Sequence, residues 1–208
     1  MRNHRDTKTQ SLSVSVSLWL AFCFVPVHAL AQTTPEHWVA TWATAQQLMA
    51  IPAGGRSGAP PSNLPATFAN QTVRMIVRTS LGGSRVRVEM SNMLNAQPVD
   101  IGAAHIAIHK SHGAILEGTD RALTFGGSSS FTIPAGAMAV SDPVNLDVAP
   151  LSDLAISIYL PRETGPPTNH PLGLHTAYIS NGDVTASAAM PDPKTMTAYA
   201  WLSSVDVV

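Results

Sequence analysis

The sequence predicts an all-β protein, an antiparallel β-sandwich or jelly-roll-like domain preceded by a signal peptide. Three observations lead there. Apolar residues alternate with polar ones over short runs, Gly and Pro punctuate the chain about every 8–12 residues, and no segment sustains an apolar period of three to four. Many short strands at that spacing describe a sandwich rather than alternating βα units.

The clearest alternation is Gln71 to Asn92, QTVRMIVRTS-LGG-SRVRVEMSN. Val73, Met75 and Val77 share one parity in its first half, and Val86, Val88 and Met90 share one in its second. Period two sends neighbouring side chains to opposite faces of a strand. The stretch reads as a β-hairpin with an apolar face and an Arg-rich face, Gly82 and Gly83 supplying positive φ for the reversal. Burying such a Val or Met side chain stabilises by roughly 1.5–3 kcal/mol before entropy. A lone hairpin is marginal in water, so its apolar face requires a second sheet.

The other elements follow in order. Residues 1–31 read as a signal peptide: Arg2, Arg5 and Lys8 precede the apolar run Leu12 to Val27, and Ala29-Leu30-Ala31 offers a cleavage site before Gln32. This predicts a secreted or periplasmic protein with no membrane attachment once the signal is removed. Cys23, the only cysteine, lies inside that segment, so the mature chain has neither disulfide nor thiolate chemistry. Residues 32–70 comprise a first strand at 38–46 and a Pro/Gly-rich loop, and 71–208 the sandwich proper. The strand at 38–46 is expected to pack on the sandwich or on a catalytic domain. Val99 to Ile108 reads as a strand with a bulge near Gly102. Ala122–Phe125, Ser130–Ile133, Val144–Val148, Leu154–Leu160, Leu174–Ser180 and Tyr199–Val208 complete the set.

Charge excludes one class of partner. Without Arg2, Arg5, Lys8 and Asp6, the totals of 12 Lys/Arg and 13 Asp/Glu fall to nine and twelve. A chain of net negative charge is not a nucleic-acid binder.

Candidate sites are few. Trp38 and Trp42, two residues apart on one strand face, suit core packing, docking on another domain, or stacking on carbohydrate. Trp201 sits in the apolar terminal run. Arg74, Arg78, Arg85 and Arg87 form either a patch for an anionic partner or an outer sheet face paired with acids. His105, His109 and His112 are close in sequence, but His105 and His109 lie roughly 13 Å apart along a strand, too far to share one ion. His170 and His175 have no carboxylate at ligand spacing. No G-x-S-x-G elbow occurs, and Asn181-Gly182-Asp183 is turn chemistry. No catalytic residue, cofactor site or metal site is assigned.

Several segments, in order, resemble the front region of secreted GDSL/SGNH-type hydrolases. They are Trp38–Gln46, Asn70–Arg78, Arg85–Asn92, Asp120–Gly126, Ser141–Val144, Asp153–Pro161 and His175–Ser180. The resemblance implies a β-rich accessory region followed by an α/β esterase domain. That domain's Gly-Asp-Ser and Asp-x-x-His blocks carry catalysis, and neither stands in this sequence. The sequence therefore reads as a truncated member whose partner is the missing C-terminal hydrolase domain. Trp38, Trp42 and an open Tyr199–Val208 strand are candidates to dock there. The alternative is a stand-alone carbohydrate-binding sandwich.

Overall fold

The computed structural model describes residues 36–48 and 63–208, and these are entirely strands, turns and loops. The signal-peptide reading of residues 1–31, Cys23, the start at Gln32 and most of the Pro/Gly-rich loop lie outside the described residues. Among the described residues no helix is long and apolar enough to cross a membrane.

The strands in chain order are β1 (Val39–Ala43), β2 (Gln47–Leu48), β3 (Gln71–Arg78), β4 (Gly83–Ser91), β5 (Val99–Ile101) and β6 (Ala103–Ser111). There follow β7 (Ala114–Ile115), β8 (Arg121–Ala122), β9 (Phe131–Ile133), β10 (Met138–Val140), β11 (Val144–Val148) and β12 (Asp153–Leu160). The last are β13 (Thr168–His170), β14 (Ala177–Asn181), β15 (Lys194–Met196), β16 (Tyr199–Ala200) and β17 (Leu202–Val207). All pairings are antiparallel. One sheet runs β1-β17-β4-β10, with β11 sharing the far edge of β4; the other runs β15-β14-β3-β12-β6-β7, with β8 also on β6. Two small ladders, β16-β13-β2 and β5-β9, complete the architecture.

The expected hairpin is not made. β3 pairs with β12 and β14, whereas β4 pairs with β17, β10 and β11, so the two strands belong to different sheets. The chain between them is an arch. The assignment of faces survives this change, because alternation fixes faces and leaves partners open. Val73, Met75, Val77, Val86, Val88 and Met90 are all buried in one core cluster with Ile106, Leu154, Ile156, Ile158 and Val205. The second sheet that the apolar face required is supplied by its own other half.

The glycines of the arch also act differently from expectation. Neither Gly82 nor Gly83 has positive φ. They are needed for space: a Cβ on Gly83 would lie 2.7 Å from the Val208 carbonyl and 2.8 Å from Val207 Cβ, and one on Gly82 would collide with the Val148 carbonyl. Thr41 pins the arch from β1. Its Oγ1 accepts from Ser80 N at 3.1 Å and Leu81 N at 2.9 Å and donates to Leu81 O at 2.7 Å.

Two further expectations are corrected in the same way. Val99–Ile108 is not one bulged strand: β5 pairs with β9 and β6 with β12, and Gly102 marks the change of ladder. A Cβ there would fall 2.7 Å from the Tyr159 ring. Tyr199–Val208 is broken at Trp201, whose φ of 56° swings the chain from the β13 ladder into the β1–β4 sheet. Beyond that break the chain is not an open edge. β17 is hydrogen-bonded to β1 on one side and β4 on the other, and Val205 and Val207 face the core.

Candidate functional site

The four arginines do not form one patch, because the two halves of the arch carry them to different sheets. Arg85 and Arg87 lie on the outer face of β4, where Arg85 pairs with Glu36 and Arg87 Nε donates to Asp206 at 2.9 Å. Arg78 is exposed at the end of β3 and pairs with Asp153 at 3.2 Å. Arg74 is wholly buried. Its Nε donates to Ser157 Oγ at 2.7 Å, Nη1 to Gly113 O at 2.7 Å, and Nη2 to Thr185 O and Ser187 O at 2.9 Å each. Burial lowers its pKa, with the charge of Asp120 acting in the opposite sense. Arg74 is therefore a clamp that fastens the 113 and 184–187 loops over the sheet, out of reach of a partner.

The tryptophans divide as well. A shift of register between Ala40 and Trp42 on β1 breaks the alternation that would have put Trp38 and Trp42 on one face. Trp38 lies under the outer-face guanidiniums, with Arg87 Cζ 4.7 Å and Arg85 Cζ 5.9 Å from its ring centre. Trp42 meets Tyr199 edge-on at 4.8 Å and 65°. Trp201 is buried against Phe68 at 5.7 Å, so it is core rather than docking surface. Its indole Nε1 and the Oγ1 of Thr168 are buried without a hydrogen-bond partner among the described residues. Trp201 also borders a small pocket of about 160 Å³ beside Asn92, Asn95 and Pro166.

The histidines near β6 are tied to neighbours. His105 Nδ1 meets Asp120 at 2.9 Å, and His109 Nε2 donates to the His112 carbonyl at 2.8 Å. Ser157 stands opposite His105 across the β6–β12 ladder, yet its hydroxyl is taken up by Arg74 Nε and is almost wholly buried. Asp183 closes the expected turn, accepting from Thr185 N at 3.1 Å and Thr185 Oγ1 at 2.7 Å.

What the fold does bring together is a cleft of about 420 Å³. Trp42, Ala43 and Thr44 from the end of β1 form one wall, and Arg78 at the end of β3 another. His170 from β13, the 172–175 segment and Tyr199 from β16 enclose the rest. Tyr199 is the buried floor: its hydroxyl donates to Ile76 O at 3.0 Å. Burial, with Asp153 nearby, pushes its pKa up to about 12. His170 lies nearly parallel to that ring, at 6.4 Å and 28°. His170 Nδ1 contacts Ala45 O at 2.8 Å; a carbonyl only accepts, so Nδ1 carries the proton and Nε2 is the free ring nitrogen. Gly173 lets the backbone cross close over Tyr199, where a Cβ would lie 2.8 Å from the ring. The rim is apolar and wet, with Leu174 fully exposed and Leu172 at 46%.

Sequence reasoning singled out Trp42 and Arg78 but assigned them to different surfaces, and it treated His170 and His175 as a pair without a site. The link between them is Tyr199, read only as part of a terminal strand. No protein-family model matches the chain, and no curated protein sequence matches it.

Proposed function

We propose that this chain is the accessory β-sandwich of a secreted or periplasmic GDSL/SGNH-type ester hydrolase, working beside an α/β domain that supplies the nucleophile. The observation that carries this reading is where the resembling segments fall. Trp38–Gln46 contains β1, Asn70–Arg78 contains β3, Arg85–Asn92 lies on β4, Asp153–Pro161 on β12 and His175–Ser180 on β14. These five strands belong to the two main sheets, two in one and three in the other, and their apolar faces share one core, as an accessory domain requires. The Asp120–His105 pair, which lies across the ladder from Ser157, is consistent with an accessory role too. A buried hydroxyl held by a guanidinium is poorly placed to attack a carbonyl.

The test has two parts. Reading the gene past the codon for Val208 is expected to give an in-frame Gly-Asp-Ser block, and a stop codon there overturns the reading. The purified polypeptide is expected to hydrolyse p-nitrophenyl acetate at the buffer rate. Turnover that a serine-directed phosphonate abolishes would make this chain an enzyme by itself. The stand-alone carbohydrate-binding reading draws no support from Trp38, whose ring lies under Arg87 rather than open to a sugar.

A further inference from the structure

We infer that the Trp42–Arg78–His170–Tyr199 cleft binds a carboxylate that carries an apolar tail. The inference goes beyond the accessory role and stands without it, since every group it uses lies in this chain. Its volume, about 420 Å³, falls within the roughly 300–1,000 Å³ typical of small-ligand sites.

The head-group end is defined by Arg78. One of its terminal nitrogens holds Asp153 at 3.2 Å, and the other guanidinium N–H groups have no protein acceptor among the described residues. Its side chain is 54% exposed, so that remaining edge is open. A guanidinium fork matches a planar carboxylate in geometry. Asp153 also decides the charge of the ligand. Beside it the head-group end is close to neutral overall, which suits a group bearing one negative charge and opposes a dianion. His170 contributes a fixed ring wall rather than a head-group donor, since its Nδ1–H is held on Ala45 O and Nε2 of the neutral ring only accepts. His175 lines the same cleft and makes no hydrogen bond among the described residues.

The tail end is defined by Trp42, Leu172 and Leu174. A leucine left entirely in water beside another at 46% is apolar surface that a ligand tail would cover. The aromatic floor of Trp42 and Tyr199 is held by their edge-on contact, so the cleft is formed before a ligand arrives.

The probe is sodium octanoate, titrated at neutral pH into the purified polypeptide and followed by NMR of the indole N–H and imidazole signals. Saturable shifts at Trp42, His170 and His175 are expected, with a Kd on the order of hundreds of micromolar for a ligand of this size. Octanol and octyl phosphate are expected to bind at least fivefold more weakly. Arg78→Gln should weaken octanoate at least fivefold, and Leu174→Ser about threefold, with circular dichroism unchanged because both side chains are exposed. Arg162→Gln, on a surface pair with Asp100, is expected to leave binding unaltered. Shifts that do not saturate, octanol binding as tightly as octanoate, or an unchanged Kd in Arg78→Gln would each overturn the inference. None of these results bears on whether a Gly-Asp-Ser block follows in the gene.

Discussion

Arg74 Nε donates to Ser157 Oγ at 2.7 Å, across the β3–β12 ladder and beneath two loops. A charged side chain sits where the sheet is covered, and among the described residues no carboxylate is hydrogen-bonded to it. Carbonyl oxygens from Gly113, Val184, Thr185 and Ser187 accept its other bonds. The arrangement converts a costly buried cation into the fastening of the 113 and 184–187 segments.

Removing that side chain leaves several buried carbonyls without donors. Arg74→Ala is expected to destabilise the protein by roughly 3–5 kcal/mol. Arg74→Lys should recover only part of this, because one ammonium cannot reach acceptors spread around a planar fork. Arg78→Gln, at an exposed pair, is expected to stay within about 0.5 kcal/mol. Urea unfolding of the three variants checks the ranking. Equal stabilities for Arg74→Ala and the parent would mean the loops are held by something else.

The arch between β3 and β4 makes a separate prediction. Gly82→Ala places a methyl group against the Val148 carbonyl and the ring of Pro150, 2.8 Å from its Cδ. Backbone has to move, at about 1–3 kcal/mol. A true hairpin turn with positive φ would also reject alanine, but Gly82→Asn separates the cases. Asparagine tolerates positive φ and would be mild in a hairpin. In the arch it should be at least as damaging as alanine, which thermal unfolding would read.

Tyr199 makes stability depend on alkaline pH. Its phenol ionises near 10 in an unfolded chain and near about 12 in the fold, chiefly because burial disfavours the anion. Between those values the folded protein holds the proton that the unfolded chain has lost. Its contribution is therefore complete below pH 10 and disappears as pH rises through 12. The change amounts to about 2–3 kcal/mol. Tyr199→Phe should cost about 1 kcal/mol at neutral pH, for the bond to Ile76 O, and lose this part of the alkaline decline. Parallel slopes for parent and variant between pH 9.5 and 11 would refute the assignment.

The cleft could not be read from the chain because its walls come from residues about 40, 80, 170 and 200. Arg78 carried a visible charge and Trp42 a visible ring. Nothing in local pattern says that β1, β3, β13 and β16 converge. His170 and His175 were noticed as a pair, and the tyrosine that makes them part of a cleft was hidden in an apolar run. The φ of 56° at Trp201, which ends that run after Ala200, is held by the surrounding fold and leaves no trace in composition.

The sequence by itself determined the class of fold and the direction of nearly every side chain in the main strands. Alternation sets faces through strand geometry alone, which is local and cannot be overridden without turning apolar groups to water. Val73, Met75, Val77, Val86, Val88 and Met90 are inside for that reason. Only the tertiary structure decided which strand lies beside which. A ladder's hydrogen bonds are made by backbone common to all residues, so partners are chosen by turns, close approaches and covering loops. Gly82 and Gly83 made an arch where a hairpin was expected, and that choice alone separated Arg74 and Arg78 from Arg85 and Arg87.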